Sequence, residues 1–184
     1  IAGSDRKDEG WTFTDEPGTI ADSVNHVFRL HEVYTKAKPG YTGSASVPTL
    51  WDKERQTIVS NESSEIIRMF NSAFRDIVPE TVDYYPEPLR AEIDAINAVV
   101  YPNVNNGVYR CGFAASQAAY EEAYDKLFAT LDDLDARLGR QRYLAGDRIT
   151  EADWRLFSTL LRFDLVYYVN FKCNKKHIYE YANL

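Results

Sequence analysis

Apolar residues recur at helical spacing along most of this chain, with one short interval where they bunch at strand length. Val24, Val27, Phe28, Leu30, Val33 and Tyr34 make a stripe at steps of three and four. With Asp22 as a capping residue, the stripe predicts a helix running to about Ala37. Lys38-Pro39-Gly40 ends it. A loop to Ser46 follows. Two short apolar runs, at about 47–52 and 56–60, flank Asp52-Lys53-Glu54-Arg55 and predict a hairpin. Pro48 stands at the start of the first run, where a missing N–H breaks no ladder bond. A second helix is expected from about Ser63 to Phe74, with Ile66, Ile67, Phe70 and Phe74 inward.

Beyond this point the pattern is helical throughout. Residues 77–88 carry Pro79, Pro86 and Pro88 and predict a linker between a unit at 1–76 and a helical unit at 89–184. Leu89, Ile93, Ile96, Val99 and Val100 mark a helix ending near Tyr101-Pro102. Asn105-Asn106-Gly107 signals a turn. A long helix is expected at about 114–138, with Tyr120, Tyr124, Leu127, Leu131, Leu134 and Leu138 on one face. Glu121, Glu122, Asp125, Asp132 and Asp135 form the other, most simply a solvated face. Gly139 ends it. Thr150-Glu151-Ala152-Asp153 is a capping box, and Ile149 and Trp154 have the spacing of a hydrophobic staple. Leu156, Phe157, Leu160, Leu161, Phe163 and Leu165 make the next helix apolar on much of its circumference, so burial is expected. A last short helix begins near Lys175.

Composition narrows the function. The 184 residues carry 21 Lys and Arg against 28 Asp and Glu, a net charge of −7. That balance disfavours a nucleic-acid partner and an anionic membrane surface. No apolar run is long enough to span a bilayer. The first ten residues lack the apolar core of a secretory signal and a starting Met, so the chain reads as truncated or processed. Cys111 and Cys173 form neither a CxxC motif nor a disulfide framework, which points to a reducing, cytoplasmic setting. Asn61-Glu62-Ser63 matches a glycosylation sequon that such a setting makes irrelevant. His26, His31 and His177 show no metal-ligand spacing and suit structural or surface roles. No phosphate-binding glycine loop is present. Thirteen Tyr, nine Phe and three Trp supply core material and rings able to line a pocket.

The chemistry concentrates in Ser46-Val47-Pro48-Thr49-Leu50-Trp51 and in Thr57 to Ile67. If the bond before Pro48 is cis, the Val47 backbone turns outward and can pair with an extended ligand. Glu62-Ser63 at a helix N-terminus presents backbone N–H groups, a hydroxyl and a carboxylate. Those groups suit a small peptide-like ligand bearing both a carboxylate and an ammonium. They equally suit a plain helix cap. The segment resembles the glutathione-holding part of the thioredoxin-like domain in glutathione transferases.

Longer runs sharpen the resemblance. Trp11-Thr12-Phe13, Val47-Pro48 with Leu50-Trp51-Asp52, Ser60 to Ser63, Glu65 to Met69, Val104 to Tyr109, Thr150 to Phe157, Arg162-Phe163-Asp164 and Phe171 to Asn174 resemble the glutathionyl-hydroquinone reductases. These are the Xi class of glutathione transferases, related to the Omega class. The implied fold class is α/β plus all-α: a partial thioredoxin-like domain followed by an all-helical C-terminal domain. The implied activity is glutathione-dependent reduction of glutathionyl-hydroquinones by a homodimer, with glutathione as co-substrate and no permanently bound cofactor or metal.

The resemblance also implies roles. Trp11, Val47, Pro48, Glu62 and Ser63 would bind glutathione. Val47 would pair with its cysteinyl backbone, Ser63 would meet its γ-glutamyl carboxylate, and Glu62 its ammonium. Ser44 stands where the family pattern has an arginine, and it cannot offer a charged fork. Tyr109 would donate to the hydroquinone oxygen, and Tyr167 would hydrogen-bond the catalytic thiolate and lower its pKa. Residue by residue, a core Trp, a strand start and half-buried phenols fit these positions too. The family's nucleophile lies in a Cys-Pro-Trp motif that this sequence does not contain, and neither Cys111 nor Cys173 takes its place. A chain complete as it stands would instead suggest a non-catalytic glutathione-binding or interaction protein.

Overall fold

Helix α1 spans Leu30–Ala37. Its Leu30, Val33 and Tyr34 form a small apolar core with Trp11, Phe13, Val27, Tyr41, Trp51 and Ile58. The computed structural model describes residues 10–78 and 82–184. The chain divides into two units, Ile1–Pro79 and Glu80–Leu184.

The first helix is shorter than its apolar stripe. Asp22 does cap, its Oδ1 accepting from the N–H groups of Val24 and Asn25. The turn it caps then stops, because His26 takes a left-handed conformation at φ 55°. The following residues pair with the start of the chain instead. Phe13 N–H donates to Phe28 O over 2.8 Å, and Leu30 N–H to Trp11 O over 3.0 Å. The helix begins only where Glu32 reaches back, its Oε2 accepting from Arg29 N–H. Val24 and Phe28 are consequently exposed, not part of an inward stripe.

Strands β1 (Leu50–Asp52) and β2 (Thr57–Ser60) pair antiparallel, with Trp51 opposite Ile58 and Asp52 opposite Thr57. Asp52 Oδ1 closes the connecting turn by accepting from Glu54 and Arg55 N–H. Pairing starts at Leu50, so Pro48 lies ahead of the strand and not within it. The Val47–Pro48 bond is cis. Helix α2 covers Ser63–Ser72, with Ile66 buried while Ile67, Phe70 and Phe74 are exposed.

In the second unit, a single 3₁₀ turn (Glu87–Leu89) leads into α3 (Arg90–Val100). Part of the expected linker, residues 79–81, lies outside the described residues. The stretch just after it belongs to the helical unit. Glu151 N–H donates to Tyr84 O over 2.8 Å, and Arg148 Nη2 to Asp83 O over 3.1 Å.

The chain does not stop at Tyr101-Pro102. It widens into a π turn over Tyr101–Asn105, closed by Asn106 N–H donating to Tyr101 O at 2.8 Å. Asn105 pins this turn from its side chain, donating to Arg155 O and Thr159 Oγ1. Asn105-Asn106-Gly107 is thus a junction between the π turn and α4 (Gly107–Gly112).

Helix α5 runs Gln117–Leu138, started by Ser116 Oγ accepting from Ala119 N–H. Ala123, Leu127, Phe128, Leu131 and Leu134 form the centre of the helical core, and Glu121, Glu122, Asp125 and Asp132 face solvent. Helix α6 (Glu151–Arg162) carries the Asp153 arm of the expected capping box, Oδ2 accepting from Thr150 N–H at 2.8 Å. A second π turn (Phe163–Tyr167) and the short α7 (Tyr168–Asn170) follow. The expectation that this helix, apolar on much of its circumference, is buried is corrected here. Ala152, Leu156 and Phe163 are buried, but Trp154, Phe157, Leu161 and Leu165 are exposed. The Trp154 ring meets Tyr84 at near right angles, with centroids 5.9 Å apart. The last turn, Ile178–Glu180, is 3₁₀.

Candidate functional site

The first group of residues surrounds the loop before β1. Val47 and Pro48 are exposed, and among the described residues the Val47 N–H and C=O make no hydrogen bond. Tyr34, buried on α1, donates from its hydroxyl to Ser46 O over 2.7 Å and so fixes the loop from behind. Ser44 is exposed, and its carbonyl accepts from the Tyr41 hydroxyl at 3.0 Å. It offers no charge.

Glu62 and Ser63 head helix α2, as the sequence suggests. The Glu62 side chain makes no cap bond there, so it is not spent on the helix. The capping work is done from Ser60. Its Oγ accepts from Glu62 N–H at 3.0 Å and donates to Glu65 Oε2 at 2.7 Å. Within the helix the first N–H groups bonded are those of Glu65 and Ile66, both to Glu62 O. The N–H groups of Ser63 and Ser64 precede them and point out of the helix end. The result is an exposed carboxylate and hydroxyl beside a positive dipole end. The sequon's Asn61 donates from Nδ2 to Ser46 Oγ at 3.1 Å, which joins the helix head to the Val47 loop. Sequence reasoning did not find this link, since residues fifteen apart give no local signal.

Trp11 packs beside the α1 core, half-buried, with its carbonyl accepting from Leu30 N–H. A cavity of about 280 Å³ nearby is lined by Phe13, Asp22, Leu30, Val33, Val47 and Trp51, among others.

The second group lies in the helical unit. Tyr109 sits in α4 just past the first π turn, and Tyr167 ends the second. Their hydroxyl oxygens are 3.2 Å apart and their rings meet edge to face at 5.6 Å. Tyr109 is 41% exposed and Tyr167 only 2%. Burial, and then the bond to Tyr109, push the Tyr167 phenol up to about 12, with Arg162 pulling weakly the other way. Tyr167 therefore stays neutral and Tyr109 is the phenol that solvent can reach. Phe171 stacks on Tyr167 at 5.4 Å and touches Tyr109 at 5.3 Å. Gly112 makes room for it, since a Cβ there would lie 2.3 Å from the Phe171 ring.

Both cysteines are unbridged and buried. Contact with Cys111 and burial together push the Cys173 thiol well up, which keeps it protonated and unreactive. Among the described residues no group of three or more His, Cys, Asp and Glu is placed to hold a metal. No described helix is long and apolar enough to cross a membrane.

The chain is similar in sequence and fold to known proteins. The family model for the glutathione S-transferase C-terminal domain matches residues 117–179. The chain is 54% identical over 177 residues to the glutathionyl-hydroquinone reductase PcpF of Sphingobium chlorophenolicum, covering 96% of this chain and 56% of that protein. Among solved structures, the glutathione-bound form of YqjG, a glutathione transferase homolog from Escherichia coli K-12, is 51% identical with a TM-score of 0.93. That match covers 95% of this chain and 57% of YqjG. The glutathione-S-transferase Xi of Phanerochaete chrysosporium is 48% identical with a TM-score of 0.95, covering 100% of this chain and 64% of that one. The chain spans about half the length of the curated relatives it matches. Its fold is that of a glutathione transferase, thioredoxin-like elements followed by a helical domain. It belongs to the family of the Xi-class glutathione transferases and glutathionyl-hydroquinone reductases.

Proposed function

We propose that this protein is an enzyme that reduces glutathionyl-hydroquinones to hydroquinones at the expense of glutathione. The observation that carries the reading is the exposed Glu62 carboxylate, unspent on its own helix, beside the open Val47 backbone. A γ-glutamyl group carries one carboxylate and one ammonium. Ser63 and the leading N–H groups of α2 suit the first, and Glu62 the second. Val47 has the free N–H and C=O to pair with the cysteinyl residue, with Pro48 shaping the loop. Trp11 packs toward the tripeptide, and Ser44 contributes no charge. The relative YqjG is described as glutathione-bound, which supports the same ligand here.

In the reaction a thiolate attacks the glutathionyl sulfur and forms a protein–glutathione disulfide, the bond from that sulfur to the aryl carbon breaks, and that carbon takes up a proton as free hydroquinone leaves. A second glutathione thiolate then attacks the mixed disulfide, restores the protein thiol and departs as oxidised glutathione. Tyr109 is the reachable phenol and gives the hydroquinone oxygen its hydrogen bond. Tyr167 bonds Tyr109 from the buried side, and its hydroxyl holds the catalytic thiolate by a hydrogen bond that lowers the thiol's pKa. Neither Cys111 nor Cys173 is the nucleophile. We place the enzyme in a reducing cytoplasm as a homodimer.

The test uses the protein as its gene encodes it. Free hydroquinone released from a glutathionyl-hydroquinone is followed by chromatography, and glutathione binding by titration calorimetry. Tyr109→Phe is expected to lower turnover by ~10²–10⁴-fold with glutathione affinity unchanged. Absence of both binding and hydroquinone release from the parent would refute the assignment.

A further inference from the structure

We infer that Asn61 is a positioning residue that locks the two glutathione-holding segments into one surface. The inference rests on the proposed glutathione reading. The Val47 loop precedes β1, and pairing begins only at Leu50. No ladder bond therefore sets where Val47 stands. Two side chains do so instead. The Tyr34 hydroxyl holds Ser46 O at 2.7 Å, and Thr49 Oγ1 holds the same oxygen at 3.0 Å. These fix the loop to α1 and to its own strand.

Neither bond relates the loop to α2. The hairpin does so only from Leu50, opposite Ser60, onward. Ahead of it, the side-chain tie is Asn61 Nδ2 donating to Ser46 Oγ at 3.1 Å. Asn61 immediately precedes Glu62, whose N–H is held by Ser60 Oγ. A shift of Asn61 would thus carry the head of α2 with it. A tripeptide bonded to Val47 at its centre and to Glu62-Ser63 at its γ-glutamyl end senses the distance between them. Fixing that distance before binding removes an ordering cost from association. Asn61 touches no ligand in this scheme and acts through Ser46.

One neutral side-chain bond of this type corresponds to roughly three- to tenfold in affinity. Glutathione titration calorimetry on the parent, Asn61→Ala, Ser46→Ala and the double variant, all in the protein as its gene encodes it, tests the inference. Each single variant is expected to weaken glutathione binding by that factor, and the double variant by no more than either single. Denaturation midpoints should fall by no more than the loss of one hydrogen bond explains, and the KM for glutathione should rise with kcat held. A parent that binds while both single variants bind equally well overturns the inference and leaves the function intact. Losses that multiply in the double variant also overturn it. A parent that does not bind glutathione overturns the functional reading itself. Ser46→Ala, which removes only the acceptor, keeps the test decisive if Asn61→Ala does not fold.

Discussion

The backbone N–H of Leu144 donates to Asp153 Oδ1 over 2.8 Å, so the loop ahead of α6 is closed by a carboxylate from inside the helix. The other oxygen of Asp153 accepts from Thr150 N–H and from the Thr150 hydroxyl. Leu144 and Thr150 are both buried, so water does not replace what Asp153 supplies.

Asp153→Ala is therefore expected to cost more than a simple exposed cap. Two buried N–H groups lose their acceptor, and the loss should reach about 2–4 kcal/mol. Urea denaturation of the variant reads this directly. A midpoint equal to the parent's would mean the loop closes without the carboxylate.

Gly112→Ala tests the packing behind the tyrosine pair. The added Cβ would sit 2.9 Å from Phe171 Cβ as well as against its ring, so a rotamer change alone does not clear it. A destabilisation of about 1–3 kcal/mol is expected. Phe171→Ala in the same chain should recover part of it, and strict additivity of the two changes would rule out the contact as the cause.

Tyr167 makes stability fall at alkaline pH. Burial first, and then its bond to Tyr109, raise its pKa from 10.0 to about 12 in the fold. The folded state keeps the proton where the unfolded chain releases it. The stabilisation is complete below pH 10 and is lost as pH rises from 10 to about 12. Tyr181, Tyr120 and Tyr124 are raised in the same direction and add to the decline. Denaturation midpoints measured across that interval should fall less steeply in Tyr167→Phe than in the parent. Parallel curves would show that Tyr167 titrates alike in both states.

Cys111 and Cys173 should resist a thiol reagent in the folded protein. Cys173 has 0% exposure and a thiol pushed upward by its neighbour and by burial. With a chromogenic disulfide reagent, both should react no faster than the protein unfolds. Rapid labelling of either thiol under native conditions would contradict the burial.

Much of this protein is legible along the chain because caps and turns depend on neighbours a few residues apart. Thr150 and Asp153 meet as the box requires, Asp52 closes the hairpin, and Glu62-Ser63 opens α2. Asp22 shows the limit. Its cap forms, but pairing between Trp11–Phe13 and Phe28–Leu30 takes the chain away from the helix that the apolar stripe alone would continue.

Which apolar face is buried was decided only in three dimensions. The π turn after Arg162 holds one residue more than an α-turn, which rotates later side chains by about 100°. Phe163 and Tyr167 face the core while Leu165 is 83% exposed, and composition cannot distinguish these apolar residues. The same holds for the contacts that matter to the site. The partners Tyr109 and Tyr167 are 58 residues apart, and Asn61 and Ser46 are 15 apart. Sequence alone determined which side chains could donate, accept or stack. Packing decided which of them met, because such pairs form only after distant segments have been brought together by burial of the core.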